Sequence, residues 1–272
     1  MKRLFVHHNG TRGDQLFCRA VHRALLASGA FDVAIGVCRD DEELVSDLAG
    51  PHCRIVASEL HNTAHGSPID LASLCPADAV SLPLWLGGNS TTATYQWPDI
   101  VDALHEDLRR LGIETAVADP DGAVPMLDFA GPAAPTPLRR RSVFLDTQRT
   151  RDDQCWFVYD LPRLTRVLPD WDLLCTSPVR APAANVVDIS QLSWAQRSAL
   201  SEQCEALVGT TRDPFVVTMT EANRWKQKAL CGYDARVTPP FWDYPGNPME
   251  LLSTMDELVD FLLANVAEGA RR

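Results

Sequence analysis

The sequence has none of the glycine fingerprints that announce a common phosphate loop. Neither G-x-x-x-x-G-K-[ST] nor G-x-G-x-x-G occurs in its 272 residues, which argues against P-loop and dinucleotide-binding enzymes. The G-x-S-x-G elbow of serine hydrolases is missing too. Paired cysteines are also lacking: the eight cysteines are scattered singly with no C-x-x-C. Cys38, Cys175 and Cys231 fall in or beside apolar runs, the pattern of buried, reduced thiols. No Cys/His cluster has metal-ligand spacing, so metal-independent chemistry is expected. Basic residues are outnumbered, 25 Lys and Arg against 36 Asp and Glu for a net charge of -11. A nucleic-acid partner, which needs a basic stripe against phosphates, is therefore not expected. No run approaches the roughly 18 apolar residues of a membrane span. The apolar part of the opening MKRLFVHHNG is short for a signal peptide. Together these absences predict a soluble, cytoplasmic protein.

What is present is alternation of strand and helix. Leu4-Phe5-Val6 reads as a strand, a glycine-bearing loop follows, and Leu16, Phe17, Ala20, Val21, Ala24 and Leu25 recur at helical spacing. The loop lies at the carboxyl end of the strand, where open α/β sheets bind ligands. Asp14, after Gly13, reads there either as a ligand-facing carboxylate or as a helix cap. His7 and His8 end the strand, and alternation of side chains sends one toward the ligand side and the other away. Strands are predicted over 31–37 and 53–57, with a helix over 42–48 begun by the acids Asp40, Asp41, Glu42 and Glu43. A further strand over 80–86 contains Pro83, which disfavours a central position in a sheet. The loop over 87–98 combines glycines, hydroxyls, Tyr95 and Trp97, a composition able to grip a sugar or simply to cover a surface. A helix over 98–111 presents Ile100, Val101, Leu104, Leu108 and Leu111 on one face and stops at Gly112.

Gly131-Pro132-Ala133-Ala134-Pro135-Thr136-Pro137 is too rich in proline for regular structure and marks a linker. Residues 1–137 and 138–272 are accordingly expected as two α/β domains. The second repeats the alternation, with strands over 142–146, 171–176, 185–189, 206–209 and 228–232 and helices over 161–168, 193–204, 214–225 and 255–266. Asp146-Thr147-Gln148-Arg149 closes its first strand, so Thr147, Gln148 or Arg149 are candidates to reach a ligand or are ordinary turn residues. Val208-Gly209-Thr210-Thr211-Arg212-Asp213-Pro214 restates the opening logic of strand, hydroxyl-bearing loop and helix. Its free N–H groups and two threonines suit a diphosphate, while Asp213 also reads as an N-cap.

The elements that carry a family resemblance come in order along the chain. They are Gly13-Asp14 before a helix, the strand ending in Cys175-Thr176, Val187-Asp188-Ile189 before the helix at Ser193, and Thr210-Thr211-Arg212-Asp213-Pro214 before another. The chain resembles the ADP-heptose lipopolysaccharide heptosyltransferases, which are two-domain GT-B glycosyltransferases, with the stronger likeness over 143–262. The resemblance implies two Rossmann-like domains facing across a cleft, with the amino-terminal domain on the acceptor side and the carboxyl-terminal domain binding a nucleotide sugar. It implies an inverting transfer in which Asp14 is the general base. Gly13 and His8, close to Asp14 in sequence, are candidates to assist it on the acceptor side, a structural role being the alternative for both histidines. It places Thr210, Thr211, Asp213 and Pro214 at the donor diphosphate, and Thr176, Asp188 and Ile189 near the nucleoside. The nucleotide sugar is then a substrate, and no cofactor is expected. Two departures stand out: Thr211-Arg212-Asp213-Pro214 replaces a Thr-Gly-Pro-like sequence and sets a carboxylate beside a pyrophosphate, and the chain is short for the fold. The alternative is a catalytically inactive GT-B-like binding or regulatory subunit.

Overall fold

Among the described residues the named strands all pair in parallel, and the pairings fall into two separate sheets. The computed structural model describes residues 2–7, 12–59, 71–84, 97–114, 138, 140–147, 157–180, 182–210, 213–232 and 249–269. The chain divides into two units, Met1–Ala130 and Gly131–Arg272. The predicted linker over 131–137 and the loop over 87–96 lie outside the described residues.

In the first unit β1 (Lys2–His7) leads to α1 (Arg12–Ala27), then β2 (Phe31–Cys38), β3 (Cys53–Ser58), β4 (Val80–Pro83) and α2 (Trp97–Arg110). The sheet order is β3-β2-β1-β4. Leu4, Phe5 and Val6 are fully buried in the interior strand β1, and Leu16, Val21 and Leu25 of α1 pack beside the sheet. Positive φ at Gly29 (64°) and Gly112 (69°) closes α1 and α2, as only glycine does without strain. β4 is an edge strand with Pro83 as its last residue, where a missing N–H costs no ladder bond.

The helix predicted over 42–48 is instead two 3-10 turns, Arg39–Leu44 and Ser46–Leu48, separated by Val45 at φ -134°. The cause is tertiary. Arg19 of α1 is fully buried and needs acceptors, so it takes both carboxylate oxygens of Asp47 at 2.6 and 2.7 Å and the carbonyl of Leu44. Arg12 takes Asp41 at 2.6 Å. Groups that a continuous helix would orient outward are bound by α1 instead.

The second unit runs β5 (Ser142–Leu145), α3 (Leu161–Val167), β6 (Asp172–Cys175), β7 (Val186–Asp188), α4 (Trp194–Ser201), β8 (Ala206–Gly209), α5 (Asp213–Val216), β9 (Gln227–Cys231), β10 (Glu250–Leu252) and α6 (Met255–Gly269). Its sheet order, β10-β9-β8-β5-β6-β7, is the doubly wound order 3-2-1-4-5-6 read from the other edge. Leu145, Leu173, Cys175, Val208, Ala229 and Cys231 form one core with Leu258, Phe261 and Leu262 of α6. Ser193 and Gln196 close a capping box on α4, and Thr254 with Glu257 does the same for α6.

Here too a predicted helix is shortened. In place of the helix predicted over 214–225 there is a short α-helix at Asp213–Val216, followed by a 3-10 turn at Glu221–Asn223. The run Val216-Val217-Thr218 is β-branched, and the Thr218 hydroxyl takes the Phe215 carbonyl at 2.7 Å. Buried Asn223 holds the Thr218 carbonyl and the Ser201 hydroxyl, both at 2.8 Å, so it is a strut between turns. Lys228 is buried and caps the carbonyls of Asn223, Arg224 and Lys226. Strand β10 has no counterpart in the sequence-based expectation. Among the described residues no helix is long and apolar enough to cross a membrane.

Candidate functional site

Parallel sheets with helices on both faces bind ligands beyond the carboxyl ends of the strands, at the point where strand order reverses. In the second unit that point lies between β5 and β8. The apolar run of β5 ends at Leu145, and the next residue is Asp146, which is fully buried. A buried carboxylate requires donors. The structure supplies them from the two flanking strands: Thr176, just past β6, donates its hydroxyl to Asp146 Oδ1 at 3.1 Å, and Thr210, just past β8, donates to Oδ2 at 3.0 Å. The Asp146 N–H continues the ladder to the Val208 carbonyl at 2.8 Å.

The contact between β5 and β8 is close. A β-carbon on Gly209 would lie 2.5 Å from Phe215 Cδ2 and 2.8 Å from the β-carbon of Asp146. Glycine is therefore required at the end of β8 for Asp146 and Phe215 to close over it.

A second ring of bonds extends from this pair. Thr147 N–H donates to Thr176 Oγ1 at 3.1 Å, and Thr147 Oγ1 accepts from Ser177 N–H at 3.1 Å. Asp188, last in β7, accepts Ser190 N–H at 2.8 Å and Val179 N–H at 3.3 Å, joining the segments that follow β6 and β7. Hydrogen bonding from the Ser190 side chain, with the two backbone N–H groups and the charge of Arg197, holds the Asp188 carboxyl below the usual carboxylate range. Ile189 is buried, and its N–H bonds the Cys175 carbonyl at 3.0 Å.

The structure thus gathers Thr147, Thr176, Asp188, Ile189 and Thr210 at one edge of one sheet. Both the Thr176 and the Thr210 hydroxyl protons point at Asp146, so in this arrangement neither hydroxyl is a donor toward a ligand. Pro214 is buried in α5, and Asp213 is the first residue of that helix. The side chain of Asp213, and residues Thr211 and Gln148, lie outside the described residues.

In the first unit α1 already begins at Arg12, so Gly13 and Asp14 lie inside its first turn rather than ahead of it. Their side chains, and all of His8, lie outside the described residues. His7 is described: it is 4% exposed, its ring stacks on Phe5 at 5.5 Å, and its Nε2 lies 3.1 Å from the Ser81 hydroxyl. That pair joins β1 to β4, the two strands between which the order of the first sheet reverses.

Asp146 is the residue that sequence reasoning passed over in favour of its neighbours. An acid directly after the apolar run Val143-Phe144-Leu145 was the available signal. The expectation of metal-independent chemistry also took the sequence to hold no D-x-D metal site, yet that spacing occurs at Asp119-Pro120-Asp121 and Asp170-Trp171-Asp172. The first lies outside the described residues, and the second stands at the amino end of β6, the edge opposite Asp146. Among the described residues no three His, Cys, Asp or Glu gather in a way that could hold a metal ion.

Several solved structures similar to this chain are glycosyltransferases. The family 9 glycosyl transferase of Veillonella parvula DSM 2008 superposes with a TM-score of 0.58 at 12% identity, over 97% of this chain and 89% of that one. E. coli heptosyltransferase WaaC, solved with ADP, gives 0.56 at 14% identity, over 99% of this chain and 98% of that one. The dodecameric iron-containing heptosyltransferase TibC of enterotoxigenic E. coli, solved with ADP-D-β-D-heptose, gives 0.50 at 14% identity over 85% of this chain. This chain spans 58% of the length of TibC. No protein-family model and no curated protein sequence matches. The likeness is one of fold: two parallel α/β units of the heptosyltransferase-like, GT-B kind.

Proposed function

We propose that this chain is a nucleotide-sugar-dependent glycosyltransferase of the heptosyltransferase-like kind, inverting and metal-independent. Residues 138–272 hold the donor, and residues 1–137 carry the acceptor-activating Asp14, with Gly13 and His8 beside it. The observation that supports this most is the doubly wound sheet of the second unit, whose switch point is lined by Thr147, Thr176 and Thr210 around a buried carboxylate. The similar solved structures include heptosyltransferases crystallised with ADP and with ADP-heptose, which makes ADP-heptose the first donor to try.

The chemistry asks for two things. A base removes the proton of the acceptor hydroxyl as its oxygen bonds to the anomeric carbon, and the bond from that carbon to the diphosphate breaks with its electron pair leaving on the diphosphate. Asp14 takes the proton. Gln148, Thr211, Asp213 and Pro214 serve the donor diphosphate and Asp188 and Ile189 the nucleoside side, while Thr210 and Thr176, expected from the resemblance at those same two places, are bound to Asp146 beneath them.

The test is release of nucleoside diphosphate from a panel of nucleotide sugars headed by ADP-heptose, with and without added glycan and with EDTA present. Turnover should survive EDTA and vanish in Asp14→Asn, which keeps shape and removes basicity, while donor binding stays. Turnover retained by Asp14→Asn removes Asp14 from the mechanism. Donor binding without turnover on any acceptor favours the inactive binding subunit.

A further inference from the structure

From the geometry at the switch point we infer that Asp146 is the positioning residue of the donor site, and that Thr176 and Thr210 are its struts rather than contacts to the ligand. This rests on the glycosyltransferase reading above. Three chain segments leave the second sheet at its carboxyl edge beside the strand-order reversal, following β5, β6 and β8. Asp146 belongs to the first, and each of its two oxygens is held by a threonine from one of the others, at 3.1 Å from Thr176 and 3.0 Å from Thr210.

Burial sets the roles. Asp146 is fully buried, and Thr176 and Thr210 are 5% and 3% exposed, so the unit lies beneath the surface a ligand would meet. Both hydroxyl protons are committed to the carboxylate. Thr176 Oγ1 also accepts the Thr147 N–H, which fixes the first residue of the segment after β5, and Thr147 Oγ1 in turn fixes Ser177. The bare α-carbon of Gly209 lets Asp146 and Phe215 approach closely enough for the bond to Thr210. A buried carboxylate is an expensive way to fill a core, since apolar residues of similar volume do so at less cost. Its return here is a single geometry for three segments that otherwise leave the sheet independently.

The experiment is calorimetric titration of ADP, UDP and GDP into the full chain and its variants, well below each melting temperature. The wild type should bind at least one of the three. Asp146→Asn, in which an N–H₂ faces one threonine proton, should weaken that affinity by about tenfold or more, and Thr210→Val by about threefold or more. The double variant should bind within about twofold of Asp146→Asn, because the strut is already lost. If Asp146→Asn does not fold, Thr176→Val and Thr210→Val carry the test, each removing one donor while keeping side-chain shape.

Affinity unchanged in Asp146→Asn, or in both valine variants, with only the melting temperature lowered, assigns a purely structural role and overturns the inference. Fully multiplicative losses in the double variant make Thr210 a direct ligand contact and overturn it as well. A wild type that binds none of the three nucleotides overturns the transferase reading itself, and this inference falls with it.

Discussion

Thr210 donates its hydroxyl to Asp146 at 3.0 Å, and this one bond joins the carboxyl ends of β8 and β5 where the order of the second sheet reverses. In sequence the two residues are 64 positions apart. The bond exists because Gly209 leaves room for it. Gly209→Ala would force a β-carbon to within 2.8 Å of Asp146 Cβ and 2.5 Å of Phe215 Cδ2. The variant should lose about 1–3 kcal/mol of stability by urea unfolding, the usual cost of overpacking a filled core. An unchanged midpoint would show that the segment after β8 yields freely.

The first unit has its own buried charge to test. Arg19 is fully buried and bound to both oxygens of Asp47 and to the Leu44 carbonyl. Asp47→Asn removes the counter-charge of the buried guanidinium and should cost about 3–5 kcal/mol, whereas Arg19→Met, which removes the charge with its need for a partner, should cost less. Equal losses, measured by chemical denaturation of both variants, would contradict the view that Asp47 is needed chiefly to neutralise this buried cation.

Alkaline pH should loosen the protein through its thiols. Burial raises Cys175 and Cys204 to about 12, and Cys38 and Cys53 to about 11, from an ordinary 9.0. Each raised thiol gives stability that is complete below pH 9 and is lost as pH rises toward its folded value. The unfolded thiol ionises there while the folded one keeps its proton, at about 1.4 kcal/mol per pH unit for each thiol. Lys228, which burial lowers to about 8, works in the opposite direction, so the informative quantity is a difference between variants. The stability deficit of Cys204→Ala should shrink between pH 8 and 10 as wild type loses what the variant no longer has to lose. A deficit constant with pH would contradict this.

Most of the architecture was legible because hydrophobic period and helix punctuation are local. Val143-Phe144-Leu145, Ala206-Leu207-Val208 and the Ser193 capping box each declare themselves within a few residues. The failures share a cause, which is that distant groups decided the outcome. The acids over 40–43 read as a helix start, but Arg12 and Arg19 of α1 drew that segment into 3-10 turns. Three residues of β10 pair only with β9, and nothing within Glu250–Leu252 alone marks them as a strand.

The candidate site was half legible for the same reason. Thr176 came from the family resemblance, and Thr147 and Thr210 could be named from their places after apolar runs. Their dependence on Asp146 could not, because it needs the register of three strands brought side by side.

The central claim is that the second unit holds a nucleoside diphosphate, and a thermal-shift panel of ADP, UDP and GDP tests it most directly. A ligand at about a hundred times its dissociation constant adds roughly 2.7 kcal/mol to the folded state, which for a protein of this size raises the melting temperature by several degrees. At least one nucleoside diphosphate should do so, and the matching nucleoside alone should do so less. No shift with any of the three at millimolar concentration would contradict the account.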